Sequence, residues 1–306
     1  MTSSAGDSVA AAVRNGDDDD APRKINTIVF LDLETSDLYS RDKPKIMELC
    51  MVAVHRTALC ESAPASSSNN CTNVPRVLDK ITLCFNPNKP VSSKSFELTG
   101  LDNCNLMDSA KTIFDENAVK MMHLFLGRQQ GPVCVIAHNG DNFDFRLLRT
   151  ELRKINQNLG NGVLCADSLI GFYETDQEEN ALSSSGVMES SSQATPAKRM
   201  CPEVTPDKQK VSSSQSQAPK PFKRMMPYGN GSPSYSLASI FQRTVGGKSI
   251  ARAHNAEGDV LGLIQVCKTR GEKLCRWIDK KARDFNDVEL YYMPSPPRGS
   301  KRSLQF

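Results

Sequence analysis

The 306-residue chain carries 39% hydrophobic and 24% charged residues, a balance that fits a soluble protein with some sequence outside its core. Its formal net charge of +3 is too small to argue for nucleic-acid binding by itself, so such a function must rest on a site. No apolar run approaches the roughly 20 residues that cross a bilayer, and residues 1–20 lack the apolar stretch of a signal peptide, which argues against insertion and secretion.

Residues 1–24 read as a disordered leader, polar and ending in an acidic run. Thr27-Ile28-Val29-Phe30-Leu31 is a short apolar run with β-branched members and predicts a buried strand. A second strand is expected over 46–54. A third, over 77–85, alternates apolar and polar residues as a half-exposed strand does. Residues 60–74, rich in Ser and Asn, read as a loop, and 92–101 as a turn. Apolar residues recur at helical spacing over 113–126. Cys134-Val135-Ile136-Ala137 predicts a buried strand that delivers His138-Asn139-Gly140-Asp141 as a turn, with a helix resuming at Asp144. A strand and helix follow over 163–172.

From residue 175 to 221 the composition changes abruptly: serine tracts and prolines appear and aromatic residues vanish. Such a segment buries too little apolar surface to offset its ordering entropy. It reads as a disordered insertion at about 176–221 within a single domain spanning 25–292, not as a domain boundary. Lys198-Arg199 and Lys220-Pro221-Phe222-Lys223-Arg224 suit either a bipartite nuclear signal or plain solvating charge. The fold returns with a helix over 235–241, for which Ser234 is a plausible cap, then helices over 256–268 and 274–281. Residues 293–306 read as a basic flexible tail. Strands first, then strands alternating with helices, imply an α/β three-layer fold.

Ten cysteines invite a disulfide reading, yet Cys50, Cys84, Cys134, Cys165 and Cys267 sit in apolar segments, where a thiol acts as a small core residue. There is no C-x-x-C pair and no Cys/His cluster at zinc spacing. Reduced thiols imply the nucleus, the cytoplasm or both.

The chemistry lies in three separated segments: Asp32-Leu33-Glu34, Ala137-His138-Asn139-Gly140-Asp141-Asn142-Phe143-Asp144, and His254-Asn255-Ala256-Glu257-Gly258-Asp259. A strand places residues i and i+2 on one face, so Asp32 and Glu34 aim into one cleft. With Asp144 and Asp259 four carboxylates would meet there, and crowded anions either protonate or capture divalent cations. Oxygen ligands select hard ions, Mg²⁺ or Mn²⁺ rather than Zn²⁺. His254, five residues before Asp259, suits a general base for an attacking water. Four carboxylates and one histidine form a kit for two-metal phosphodiester hydrolysis. A D-x-E triplet alone is weak evidence; the ordered set of three is strong. Glu257 reads as a supporting or helix-capping residue. His138 reads as a turn-stabilising side chain, and Asp141 as structural.

These segments resemble the DEDDh family of 3′→5′ exonucleases, and within it the animal three-prime repair exonucleases. The likeness runs through Phe30-Leu31-Asp32-Leu33-Glu34-Thr35, Arg76-Val77-Leu78-Asp79-Lys80-Ile81-Thr82-Leu83-Cys84-Phe85, Ala137 to Phe145, and Ser234-Tyr235-Ser236-Leu237 onward to Asp259-Val260-Leu261. It implies a ribonuclease H-like exonuclease fold with a mixed central sheet flanked by helices. It also implies two Mg²⁺ ions, replaceable by Mn²⁺, held by Asp32, Glu34, Asp144 and Asp259, with Asp32 bridging and His254 as base. The implied substrate contacts are Glu34, Thr35, Ser36, Leu38, Leu98, Phe143, His254 and Asp259. Thr35 and Ser36 offer backbone or hydroxyl donors to a 3′-OH. Leu38 and Leu98 pack against terminal bases, or are simply packed. Phe143 stands where relatives usually carry tyrosine, and Asn142 where arginine is typical. In the resembling enzymes the 77–85 strand pairs with its copy in a homodimer. Some relatives carry a membrane-anchoring tail, which the end at Phe306 leads us not to expect. The implied activity is removal of deoxynucleotides from DNA 3′ ends, single-stranded or frayed. An RNA 3′-end trimmer and a non-catalytic nucleic-acid-binding protein are the competing readings.

Overall fold

The computed structural model describes residues 24–38, 42–60, 74–185, 233–247 and 249–294. β1 (Thr27–Thr35) is the central strand, and β2 (Ile46–His55) lies antiparallel to it. β3 (Asp79–Cys84) continues antiparallel at one edge. On the other flank β4 (Val133–Ala137) and β5 (Leu164–Asp167) run parallel to β1, and short β6 (Arg283–Asp284) closes that edge antiparallel. The resulting order is β3-β2-β1-β4-β5-β6, a mixed sheet as expected.

Helices cover both faces because the inner strands are apolar on both. Alternate residues of β1 enter different cores. Ile28 and Phe30 join the apolar side of α8 (Ala256–Lys281), including Val260, Leu263 and Ile264. Val29, Leu31 and Leu33 join α4 (Glu116–Gly127) and α5 (Asp144–Lys154) through Met122, Phe125, Leu147 and Leu148. Asp32 and Glu34 therefore share the parity of Ile28 and Phe30, and point toward the side on which α8 packs.

Several expectations change. Residues 92–101 are no mere turn: α2 (Ser93–Thr99) is capped by the Ser92 side chain and stopped by Gly100 in the left-handed region at φ 70°. Two short helices were not foreseen, α1 (Arg56–Cys60) and α3 (Asn103–Asp108), the latter opened by an Asp102–Asn105 capping box. The third strand is shorter than 77–85, and Val77 is 83% exposed. α6 (Ser168–Ser185) carries helix ten residues into the segment whose composition reads as an insertion. The cap of α7 (Leu237–Thr244) is Ser236, which accepts from the Ser239 N–H, in place of Ser234. The two C-terminal helices expected over 256–268 and 274–281 are present as the two halves of α8, separated by Gly271 at φ 48° and ψ −124°. Among the described residues no helix is long and apolar enough to cross a membrane. The leader, nearly all of the 60–74 loop, the insertion beyond residue 185 with both basic clusters, and the tail from 295 lie outside the described residues.

Candidate active site

β1 and β4 stay paired only as far as Phe30 opposite Ile136. β4 then turns away, so the chain from Leu31 to Thr35 keeps β2 on one side and loses its ladder on the other. That open flank is where the site forms. Asp144 stands there, and the Leu33 backbone N–H favours its charged form.

Asp144 gets its place from the turn before it. Asn139 adopts φ 66°, and a Cβ on Gly140 would lie 2.7 Å from the Phe145 ring, so only glycine fits. Asp167, at the end of β5 and 3% exposed, accepts the N–H groups of Asn139 (2.9 Å) and Asp141 (3.2 Å). Asp141 itself pairs with Arg283 at 2.6 Å and stays structural. His138 Nε2 donates to the Tyr235 carbonyl at 2.9 Å, and Nδ1 lies 3.1 Å from the Ser168 hydroxyl. Burial pushes its pKa down to about 4, so it is a neutral turn-holding side chain.

Asp259 arrives on the first turn of α8. Asn255 caps that helix, accepting from the Gly258 N–H at 3.1 Å. A Cβ at Gly258 would come within 2.3 Å of the Arg252 carbonyl oxygen, so this close approach also demands glycine. The His254 backbone N–H donates to Asp259 Oδ2 at 2.9 Å. The His254 side chain itself is exposed, and its backbone sits at φ 63°. One carboxylate oxygen each from Asp32, Glu34 and Asp259 lie within 4.8 Å of one another. Such oxygen donors suit a hard divalent cation. Asp144 stands beside them, buried to 4% exposure, and its charge acts on Asp32.

The electrostatics show the cost of this crowding. Burial first, then the charges of Asp144, Glu34, Asp259 and Glu48, hold Asp32 well above the usual carboxylate range. Burial, then Asp259 and Glu48, pushes Glu34 up to about 8. Asp144 is pushed up to about 7, mainly by burial. Asp259 is raised by burial, against which the His254 N–H works. Four carboxyl groups that resist ionisation in one place gain most from bound cations.

Three contributors escaped the sequence reading. Glu48 lies opposite Glu34 in the β1–β2 register, is 6% exposed, and accepts the Ala256 N–H at 2.9 Å, pinning the start of α8. A single carboxylate within the apolar run 46–54 was the available signal. Asp167 likewise ends an apolar run. Tyr291 packs edge-on against Phe143 with ring centroids 5.5 Å apart, and after burial and Arg146, the Asp144 charge acts on its phenol. Nothing local marked Tyr291.

The expected substrate contacts divide. Thr35 and Ser36 are buried, and their hydroxyls donate to Asp37, at 2.8 Å to its carbonyl and 2.9 Å to its carboxylate. The Ser36 N–H donates to the Lys45 carbonyl. The two hydroxyls and the Ser36 N–H are thus engaged within the β1–β2 connection. Ser95 donates to the Thr35 carbonyl, and the Ser92 N–H to the Ser36 carbonyl at 2.9 Å, which ties α2 to the end of β1. Leu98 of that helix is 37% exposed. Leu38 is half-buried, as is Phe143 immediately before Asp144.

No protein-family model matches the chain. It is 34% identical over 273 residues to three prime repair exonuclease 2 of Mus musculus, covering 89% of this chain and 95% of that one. It is 35% identical over 281 residues to three-prime repair exonuclease 1 of Bos taurus, covering 91% and 74%. Among solved structures, an E. coli ExoI–ssDNA complex aligns with a TM-score of 0.49 at 14% identity, covering 83% of this chain and 42% of that one. The identity and extent of the likeness to the curated exonucleases mean that the chain belongs to the three-prime repair exonuclease family.

Proposed function

We propose that this protein is a divalent-metal-dependent 3′→5′ exodeoxyribonuclease that releases nucleoside 5′-monophosphates from single-stranded or frayed DNA ends. The observation that carries the reading is the meeting of Asp32, Glu34 and Asp259 oxygens within 4.8 Å, with Asp144 buried alongside. Asp32, Glu34, Asp144 and Asp259 would hold two Mg²⁺ ions, with Mn²⁺ able to replace them. When bound, such ions supply a nucleophile at neutral pH and offset charge on the phosphoryl oxygens.

The chain's own residues do the rest. His254, exposed beside Asp259, takes a proton from the attacking water. Glu48 and Asn255 fix the start of α8, so that Asp259 and His254 approach from a set direction. Leu38, Leu98 and Phe143 offer apolar surface to the terminal bases, which suits binding with little sequence preference. We further propose a homodimer through edge strand β3, whose outer ladder faces no other strand among the described residues. A location in the nucleus or cytoplasm is supported by the thiol-rich, apolar-flanked cysteine pattern.

The test is hydrolysis of 5′-labelled DNA and RNA oligomers with and without Mg²⁺. Stepwise shortening of DNA from the 3′ end, dependent on Mg²⁺, is expected. Preferential shortening of RNA would replace the substrate assignment, and no shortening of either would overturn the enzyme. Light scattering at micromolar concentration tests the dimer: the mass of a single chain would sink it.

A further inference from the structure

α5 starts at Asp144 and carries a basic stripe, of which Arg146 and Arg149 are half-buried and Arg153 is exposed. Arg146, Arg149 and Arg153 are spaced i, i+3 and i+7, so they share one helix face, while Phe145, Leu148 and Leu152 fill the core. In a chain with a net charge of only +3, this is a local concentration of cation. Arg146 is largely committed: it lies 3.3 Å from Glu289 and donates to the Leu290 carbonyl. Arg149 and Arg153 are different. They line a groove of about 260 Å³ between α5 and the chain after β6, together with the amide side chains of Asn156, Asn158 and Asn286. Among the described residues no carboxylate lines it. Arg149 spends one Nη on the Phe285 carbonyl at a long 3.4 Å, and Arg153 is exposed. The nearby Glu151 carboxylate faces inward, held by Lys45 and Lys154.

Two guanidinium groups with amide donors and no anion make a surface for phosphate oxygens. Helix geometry sets its reach: Arg149 lies about 7.5 Å and Arg153 about 13.5 Å along the axis from Asp144. We propose that this groove binds the sugar–phosphate backbone of the substrate strand a few nucleotides upstream of the scissile bond. Arg149 and Arg153 are its phosphate contacts. The inference rests on the exonuclease reading for the position of the scissile bond, but the groove is tested by binding alone.

The experiment measures fluorescence anisotropy of a dye-labelled oligothymidylate with the full chain in EDTA, over a salt series, beside Mg²⁺-dependent hydrolysis of the same oligomer and of a dinucleotide. The double variant Arg149→Gln/Arg153→Gln should bind about tenfold more weakly. Its log–log salt slope should be shallower by about 1.4, the worth of two single-strand phosphate contacts. Turnover of the dinucleotide, too short to reach the groove, should stay unchanged. Arg153→Glu alone, at an exposed position that folding tolerates, should weaken binding in the same direction. Lys120→Glu, on exposed surface of α4, should leave affinity near wild type. Unchanged affinity and slope in both arginine variants would overturn the proposal. So would an equal loss with Lys120→Glu, which would mean a diffuse field, or a lower melting temperature with unchanged binding, which would mean a helix-end charge. Failure of the exonuclease reading has a separate signature: wild-type protein that binds the oligomer yet cleaves neither substrate with Mg²⁺.

Discussion

Strand β1 and the segment from Arg252 to Asn255 both serve the candidate site, and they are built in opposite ways. β1 lies in the middle of the sheet; Ile28 through Leu31 are wholly buried, and β2 pairs with the strand along its length. The other segment is exposed from Arg252 to His254, places Arg252 and His254 at φ 59° and 63°, and is tied down by bonds such as His254 N–H to the Asp259 carboxylate and Asn255 N–H to the Arg252 carbonyl. The contrast follows from what each must do. Carboxylates that repel one another keep a fixed spacing only on a rigid support. A residue that exchanges a proton with water needs access to solvent more than it needs rigidity.

The sharpest way to break this division is at its rigid end. Asp32→Ala should lower turnover by about 10⁴-fold or more, as for the loss of one member of an interdependent catalytic set. It should not lower the melting temperature in metal-free buffer, because it removes a half-buried carboxylate that its neighbours repel. Near-normal turnover by a folded variant would refute the metal assignment. At the exposed end, His254→Ala should cost about 10²–10⁴-fold in turnover, the usual worth of a general base, with DNA affinity retained. Collapse of affinity with an unaltered pH profile would make His254 a binding residue.

Glu48 joins the two regions, reaching from the sheet to the first turn of α8, so its variants sharpen the comparison. Glu48→Ala leaves the Ala256 N–H without its acceptor and should cost about 1–3 kcal/mol of stability together with activity. Glu48→Gln keeps a carbonyl acceptor there and should recover most of the stability in a denaturant titration. Equal stability of the two variants would mean that this bond does not hold the helix.

The smallest effect is on pH dependence. Glu34 is pushed up to about 8 and Asp144 to about 7, chiefly by burial, so each binds more protons folded than unfolded between its ordinary value and its raised one. Stability in EDTA should therefore fall as pH rises from 6.5 to 8. His138, held down near 4, has the opposite sign but acts only below about 6.5. Added Mg²⁺ should raise the melting temperature more at the alkaline end than at the acid end. A flat metal-free profile across that window would argue against the crowded-carboxylate picture.

Much of the site was legible because its chemistry repeats local geometry. Period-two alternation put Asp32 and Glu34 on one face, and the turn and the helix start put Asp144 and Asp259 at element ends. The α/β class also followed from short apolar runs alternating with helical ones, whereas the strand order β3-β2-β1-β4-β5-β6 appears only in the structure. Other features depended on distant partners. Ser92 and Gly100 bracket α2, yet its docking on β1 needs Ser95 to meet Thr35, 60 residues away. Thr35 and Ser36 look like available donors in a string of letters, and only the folded turn engages their hydroxyls with Asp37. Glu48 reads locally as an interruption of a strand; its role exists only where Ala256, 208 residues later, presents an N–H to it. Residue identity and period determine which groups share a face. Which buried donor meets which acceptor is decided by packing, because an unsatisfied polar group is costly only once the tertiary structure has removed its water.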